Sequence, residues 1–504
     1  MTHLLSLLLA APVLGAFVVC VAAGKGDGTA KRIAILASVG ATTVALTLWF
    51  AYIPRGVEWQ FTERIELIPS IGVSYAVGID GLSLCFLLLT TAVSVLWLWS
   101  IEMPRRGRAG YVAALVLEAG LLGTYVSLDL LLKILFWSMA FVAGAALVAI
   151  TDGSRRLAVG LAAAAVLSAA LMVAGVQALD AHYHSLSSIH TLDIRAYHQL
   201  SVPAPLQTRV FLTFLPSLVF PFVVFVVLAR TAIRGVAWVM LPGVLLLNLG
   251  VYGLLRDSLP ILPEASRRLV PALLWIAIVA GGASAMASVL LRERRQSIAN
   301  VSVAYAALAA LGALTLTPDG LTGTIVQHVA LTLSIAAIVL VEGRLGFVLL
   351  IGALSLAGLP WLAGFVGLRR TVEGVWSFNR VAAVILIATT LVSAVSLWRL
   401  YRQRSRRIPD AAPLPVKPLE LSLAVIPAAL SLWIGIYPPP LLSRIETAVA
   451  RVVMRVSPQY AAEVADCLSQ SAAPPPPIPG LPSGMVMMAP CADGEKLPPA
   501  VPVK

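Results

Sequence analysis

Long apolar stretches recur from one end of the chain to the other, and almost none of them carries an ionisable residue near its middle. Of the 504 residues, 59% are hydrophobic and only 12% are charged, whereas about 25% of residues are charged in soluble domains. A helix needs about 20 apolar residues to cross the hydrocarbon of a bilayer. The pattern therefore predicts an all-α polytopic membrane protein. Because charges inside membrane spans are where ion transport normally takes place, such a chain is either not a transporter or no longer one.

The lengths of these stretches predict about fourteen transmembrane helices. The predicted spans cover residues 3–23, 33–53, 82–101, 110–128, 131–151, 157–178, 210–229, 236–255, 269–291, 301–317, 320–341, 346–367, 381–398 and 419–437. Loops on one side of the membrane carry more Lys and Arg than loops on the other, and the positive-inside rule assigns the richer side to the cytoplasm. We therefore expect a bacterial inner-membrane protein with both termini on the outer, periplasmic side. The net charge of +12 lies mostly in short loops beside the lipid bilayer, so we expect no nucleic-acid partner.

Three segments lie outside the predicted spans. Residues 54–80 contain an alternating polar and apolar pattern, which predicts a strand or hairpin on the outer face. Residues 179–208 hold four histidines whose spacing fits no standard ligand pattern, so we expect a solvated loop and no metal site. Residues 457–504 are rich in proline and are expected to be disordered. If this tail is periplasmic, Cys467 and Cys491 can form a disulfide.

These features divide the chain into four parts. Residues 1–109 hold the N-terminal helices and the outer-face hairpin, 110–400 the core, 401–456 the last span and a C-terminal helix, and 457–504 the tail. The sequence holds no P-loop, no dinucleotide-binding glycine pattern and no cysteine cluster for iron–sulfur or haem. We expect no cofactor, no bound nucleotide and no catalytic or redox residues in this chain.

Few titratable residues lie inside the predicted spans. Glu118, Lys133 and His328 are candidates for a proton path, because ionisable groups are costly in lipid and often mark ion routes. Glu118 is the strongest, since a carboxylate in mid-span has no easy route to water. Lys133 follows Asp129 by four residues and can instead extend its ammonium to the membrane interface. His328 can instead cap a break in its helix.

Pro360 interrupts the apolar sequence ALSLAGLPWLAGFVG, which is also rich in glycine. Broken membrane helices occur where the exposed backbone lines a protein interior or a water cavity, so this pattern favours a transporter-type architecture. A plain proline kink is the alternative.

Several stretches resemble the antiporter-like membrane subunits of respiratory complex I, and subunit M of the proton-pumping NADH:quinone oxidoreductase most closely. The more specific motifs are VGIDGLSL and NLGVYGLLRDSLPILPEAS. The matching pieces are Leu4–Cys20, Glu58–Leu84, Val126–Trp137, Pro242–Ser266, Ser297–Ala306 and Ala353–Gly367. The resemblance implies fourteen-helix subunits with inverted repeats, half-channels through broken helices, and a Glu–Lys–Lys–acid series that moves protons.

The chain departs from that family pattern at its key positions. The resemblance places Ser138 where the family has a glutamate, Asn248 where it has a lysine, Tyr305 where it has a histidine and Leu368 where it has another glutamate. No lysine occurs in residues 201–230, where the family has one. Serine, asparagine and leucine cannot exchange a proton near neutral pH. The departures predict that the fold is retained while the usual proton path is not.

Two functions follow from the resemblance. The first is a subunit M-like component of a complex I-type assembly, partnered by other membrane subunits and supporting, or formerly supporting, proton translocation coupled to electron transport. The second is a non-conducting structural subunit or anchor of the same family. A cation/proton antiporter subunit is the least favoured, because the exchange residues are missing.

Overall fold

The computed structural model describes residues 3–21, 26–101, 107–151, 154–231, 237–340, 346–405 and 418–472. Within these ranges the chain is almost entirely helical, with one antiparallel hairpin. The helices are α1 (Leu4–Val21), α2 (Asp27–Ala51), α3 (Gly81–Ser100), α4 (Gly107–Val126), α5 (Leu130–Thr151), α6 (Arg155–Ser187), α7 (Ile194–Tyr197), α8 (Ala204–Thr231), α9 (Ala237–Gly253), α10 (Leu259–Ile261), α11 (Pro263–Leu290), α12 (Arg294–Leu314), α13 (Pro318–Leu340), α14 (Gly346–Leu356), α15 (Ala363–Phe378), α16 (Arg380–Ser405), α17 (Pro418–Ile436), α18 (Pro439–Val456) and α19 (Pro458–Ala472).

Twelve of the fourteen predicted membrane spans coincide with candidate membrane helices among the described residues, and those at 346–367 and 419–437 do not match a single such helix. Among the described residues, 12 helices are long and apolar enough to cross a membrane, and a further candidate is the pair α17 and α18, bent by 72°. The predicted span at 346–367 is built from α14 and α15, which are separated by a break. The prediction of an all-α multi-pass membrane protein is confirmed.

A few helices form the centre of the bundle. In α12, in α13 and in the span Met240–Ile261, 94% of the residues in the most apolar 18-residue stretch are buried inside the protein. The corresponding share is 83% in α3 and α4, but only 28% in α11. Since lipid-facing helices expose apolar side chains to the bilayer, α11 lies at the rim. Two of the candidate ion-path residues lie on these central helices, Glu118 on α4 and His328 on α13, whereas Lys133 lies on α5, where the share is 56%.

The interruption predicted at Pro360 is a true break. Residues 357–362 are not helical, and Trp361 has a positive φ of 66°. The Ser355 side chain accepts a hydrogen bond from the Gly364 amide across the break, at 3.2 Å. The Ser431 hydroxyl of α17 donates to the Ser355 hydroxyl at 3.1 Å. The alternative of a plain proline kink is wrong, because six residues leave the helical path.

The predicted hairpin is present, and it is attached to the start of α1. Strands β1 (Gln60–Ile68) and β2 (Val73–Ile79) pair antiparallel around a turn at Gly72, whose φ is 70°. Glu63 of β1 accepts hydrogen bonds from the backbone amides of Leu5 and Ser6, at 3.0 and 3.2 Å. A carboxylate at a helix N-terminus satisfies otherwise unpaired amides and the positive end of the helix dipole. The hairpin therefore holds α1 in place.

Helix α18 crosses the ends of several spans. It contacts α3, α10, α11 and α13. Gly81 lets α18 approach, because a Cβ there would lie 1.8 Å from the Arg444 carbonyl oxygen. The expectation of a disordered tail from residue 457 is wrong for its first part: α19 begins at Pro458, a residue favoured in the first helical turn. The proline run from Pro474 onward lies outside the described residues.

Candidate functional site

Glu118 is buried at the contact between two helices. It lies on α4 and is 1% exposed. The Ser38 hydroxyl of α2 donates a hydrogen bond of 2.8 Å to Glu118 Oε1, while Oε2 is buried without a partner. A carboxyl group with one oxygen unpaired can hold a proton there or bind a water. The structure thus places Glu118 inside the protein rather than against lipid.

His328 lies on α13, in the centre of the bundle. Its Nδ1 is 3.0 Å from Asn248 Oδ1, and Asn248 in turn donates to the Thr332 hydroxyl at 3.1 Å. Since an amide oxygen only accepts, Nδ1 carries the hydrogen, and Nε2 is a buried acceptor without a partner. The alternative that His328 caps a helix break is wrong, because α13 is continuous from Pro318 to Leu340.

Lys133 is buried and paired. Its Nζ lies 2.5 Å from Asp257 Oδ1 and 4.7 Å from the centre of the Tyr252 ring. The side chains of the two charged residues are 3% and 5% exposed. The expectation that Lys133 extends to the membrane interface is therefore wrong: Asp257 makes burial of the ammonium possible, because a buried charge needs a partner.

Asp129 does not pair with Lys133. Its carboxylate accepts hydrogen bonds from the backbone amides of Leu131 and Leu132, at 2.9 and 3.1 Å, and so caps the start of α5. It also accepts from the Ser74 amide of β2 at 2.8 Å. Burial raises the pKa of Asp129, and the amide hydrogen bonds oppose that rise. Asp129 thus joins the hairpin to the first turn of α5.

A second buried ion pair lies beside the first. Arg256 donates to Asp80 at 2.8 Å, and its guanidinium lies 3.6 Å from the centre of the Trp59 ring. Arg256 and Asp257 belong to a π-helical turn, Leu254–Ser258, that follows α9. Such turns widen a helix and often occur at functional sites. Both neighbouring charges are buried in this turn, each against a partner of opposite sign.

The positions that depart from the family pattern form ordinary contacts. Ser138 donates to the Ile134 carbonyl of its own helix at 2.7 Å. Tyr305 donates to the Gly364 carbonyl at 3.3 Å, beside the helix break. Leu368 packs on Gly358, where a Cβ would lie 2.5 Å from its side chain. Among these positions, Asn248 contacts a titratable side chain, that of His328.

The three candidate proton-path residues occupy separate clusters. Within the described ranges no hydrogen bond joins Glu118, Lys133 and His328 directly. Sequence reasoning missed Asp257, Arg256 and Asp80, because they lie at the ends of the predicted spans and their pairing joins distant parts of the chain. The available signal was the Arg-Asp dipeptide at the edge of an apolar span.

The prediction of a single solvated loop over residues 179–208 is wrong, because α6 extends to Ser187 and carries His182 and His184. His190 lies 2.7 Å from Asp180 and stacks on His184 with ring centres 4.0 Å apart. His198 Nδ1 accepts a hydrogen bond of 3.0 Å from Arg455 of α18. Arg455 also pairs with Glu58 at 3.0 Å. Across the described residues, no group of His, Cys, Asp and Glu is placed to hold a metal ion.

Cys467 lies on α19 and is disulfide-bonded. Cys491 lies outside the described residues, so the pairing of these two cysteines stays a prediction.

The bundle and its broken span define a class of membrane subunit, the antiporter-like fold. A chain of respiratory complex I from Thermus thermophilus, solved with bound NADH, has a TM-score of 0.78 and 19% identity, over 90% of this chain and 100% of that chain. A chain of the membrane-bound sulfane sulfur reductase, an archaeal respiratory membrane complex, has a TM-score of 0.74 and 15% identity, over 92% and 99% of the two chains. Both neighbours come from multi-subunit membrane complexes.

The curated relatives are more specific, although no family model matches the chain. NAD(P)H-quinone oxidoreductase chain 4 3 of Picosynechococcus sp. is 27% identical over 424 residues, which are 78% of this chain and 76% of that protein. NADH-quinone oxidoreductase subunit M of Rhodobacter capsulatus is 26% identical over 505 residues, 90% and 97% of the two proteins. The resemblance to subunit M that the sequence motifs indicated is confirmed.

The contact between His198 and Arg455 predicts a pH-dependent attachment of α18. Burial and the positive charge of Arg455 hold the pKa of His198 well below its ordinary value. An opened state binds a proton first as the pH falls through about 6.5, so the closed state loses stability below that pH and regains it above. We expect hydrogen exchange of amides in α18 and in residues 194–200, taken relative to the intrinsic exchange rate at each pH, to accelerate between about pH 7 and pH 5.

His198→Gln is the matched variant, because glutamine accepts the same hydrogen bond without titrating. It should remove the extra acceleration at low pH, and His182→Gln should retain it. Equal pH dependence in wild type and His198→Gln would contradict this assignment.

Proposed function

We propose that this chain is a subunit M-like membrane component of a complex I-type NADH:quinone oxidoreductase assembly, and that it supports proton translocation coupled to electron transport. The observation that carries the proposal is the extent of the similarity: relatives named as this subunit align over as much as 90% of the chain. The antiporter-like fold supports it independently. In this role the chain forms part of the membrane-embedded portion of the assembly. Its relatives are named as subunits of quinone oxidoreductases, which supports a role in quinone-linked respiration.

The proton-carrying residues in this proposal are altered from the family pattern. Glu118, the Lys133–Asp257 pair and the His328–Asn248 pair take the place of the missing acids and lysines. In a medium of low dielectric, a proton passing from Lys133 Nζ to Asp257 Oδ1 converts an ion pair into a neutral amine and acid, which removes the desolvation penalty of two charges. The 2.5 Å contact is short enough for this transfer. His328 Nε2 has no hydrogen-bond partner among the described residues and is the ring nitrogen that can accept a proton, a step that places a positive charge on the imidazole.

Neighbouring membrane subunits are the partners in this proposal. Leu359 and Trp361 are 40% and 71% exposed, and Pro360 between them is also exposed, at the break between α14 and α15. Irregular backbone at membrane depth is tolerated only where protein or a water-filled cavity covers it. We infer that another membrane subunit packs against this break.

We also propose a bacterial inner membrane as the location, with both termini on the periplasmic side. The distribution of Lys and Arg among the loops supports this orientation. It places the hairpin, the histidine loop and α18 outside. We propose the same division of the chain as the sequence predicts, into residues 1–109, 110–400, 401–456 and 457–504. The groups proposed to carry protons lie in the core at 110–400. A non-conducting structural subunit is less favoured, because Glu118 and the Lys133–Asp257 pair are buried at considerable energetic cost.

The assembly itself is tested by purification. A tagged copy of this chain, extracted in mild detergent, should bring down other membrane subunits of a complex I-type assembly, identified by mass spectrometry. The control is an untagged strain carried through the same steps. A chain that purifies alone, or with an unrelated set of proteins, would contradict the proposed function.

Glu118→Gln tests the proton path in the assembled complex. The amide keeps a hydrogen-bond acceptor for Ser38 but cannot titrate, so we expect the number of protons pumped per NADH oxidised to fall, by about tenfold or more if the step through Glu118 limits transfer. Pumping is measured as quenching of a pH-sensitive dye in proteoliposomes. Glu373→Gln, at a partly exposed carboxylate paired with Arg369, is the control. Unchanged pumping by a fully assembled Glu118→Gln complex would remove this residue from the path.

A further inference from the structure

A groove between α1, α2, α4 and α5 is not used by the proposed proton path. Its volume is about 790 Å³. The walls are small or apolar, with Val112, Ala113 and Val116 on α4 facing Val142, Ala143 and Ala146 on α5. Cys20 and Val142 on its lining are exposed, so the groove is accessible from outside the protein.

The groove has the length of one leaflet of a bilayer. On α5 its lining runs from Met139 to Ile150. At 1.5 Å per residue this corresponds to about 16 Å, close to half of the roughly 30 Å hydrocarbon thickness. One end therefore lies near the middle of the membrane, and the other lies where α4 begins and α5 ends. Such a shape accommodates an extended acyl chain.

The two ends of the groove differ in charge. The end near the bilayer centre is apolar, whereas the opposite end is lined by Arg108 and Asp27. The Asp27 carboxylate lies against Gly107, at the first residue of α4, where a Cβ would be 2.5–2.7 Å from its atoms. A carboxylate there is favoured by the positive end of the helix dipole. Among the described residues, the Arg108 guanidinium has no ion-pair partner.

More basic residues follow in the sequence at the same end. Arg155 and Arg156 open α6 directly after α5, and both are exposed. Basic pockets between membrane helices on the cytoplasmic side bind anionic headgroups. Charge and shape thus point to one kind of ligand.

We propose that this groove binds an anionic phospholipid, with one acyl chain between α4 and α5 and its phosphate at Arg108. The inference rests on the membrane orientation given under Proposed function and on the lining of the groove, but not on proton translocation. A neutral phospholipid would fill the apolar part but leave the basic end without a counter-charge.

Native mass spectrometry of the purified, delipidated protein tests the proposal. The probes are dioleoyl phosphatidylglycerol and dioleoyl phosphatidylcholine, added separately at equal concentration. We expect phosphatidylglycerol to be retained in preference. Arg108→Gln should reduce its retention about fivefold, the equivalent of about 1 kcal/mol for one basic residue at a membrane surface. Arg402→Gln, at an exposed arginine at the end of α16, should leave retention unchanged.

Filling the groove provides the second variant. Ala146→Phe places an aromatic ring in the acyl-chain part and should lower the retention of both lipids. If Ala146→Phe lowers retention but Arg108→Gln does not, the groove binds acyl chains without selecting an anionic headgroup, and the proposal is wrong. Equal retention of the two lipids by the wild type would also overturn it.

Cys20 supplies a readout that does not depend on lipid surviving purification. It is a free, exposed thiol on the lining of the groove. In nanodiscs, its alkylation by a maleimide should be slower with phosphatidylglycerol than with phosphatidylcholine, and Arg108→Gln should abolish the difference. Alkylation at the same rate in both lipids would contradict the proposal, whether or not the variants fold equally well.

Discussion

Every charge buried among the central helices must be neutralised, and the structure meets this requirement with two adjacent ion pairs. Lys133 pairs with Asp257, and Arg256 pairs with Asp80. An unpaired ion in such an interior costs several kcal/mol. The pairs join three distant parts of the sequence: the start of α3, the start of α5 and the π-helical turn after α9. These ends of the helices are therefore fixed relative to one another by charge as well as by packing.

Around these pairs, hydrogen bonds and ion pairs connect the hairpin, the helix ends and α18. Glu63 of the hairpin caps α1, Asp129 caps α5 and contacts β2, and Arg455 of α18 joins Glu58 and His198. Each contact satisfies a charged or backbone group that would otherwise be unpaired. The hairpin and α18 thus act as parts of one layer at the same ends of the helices, and the helix break at Pro360 leaves Leu359 and Trp361 exposed.

The spans could be predicted from the sequence because hydrophobic length is a local property, and so could the hairpin and the break at Pro360. Side-chain partners could not, because they depend on which helices pack together. The partner of Lys133 could not be predicted, because Asp257 is 124 residues away in the chain. The same reason explains why the contact between His328 and Asn248 was missed. The prolines of the tail predict disorder, but Pro458 is the first residue of α19, a position where proline is compatible with a helix.

The central claim is that the Lys133–Asp257 pair carries protons in place of the family's missing lysines. Removing one partner leaves a buried charge and costs about 3–5 kcal/mol, so single variants report on folding. The double variant Lys133→Met with Asp257→Leu removes both charges and keeps a similar volume. The most direct measurement is therefore the number of protons pumped per NADH oxidised by the assembled complex that contains it. We predict that NADH oxidation continues while pumping falls. Pumping at the wild-type ratio in that complex would contradict the claim.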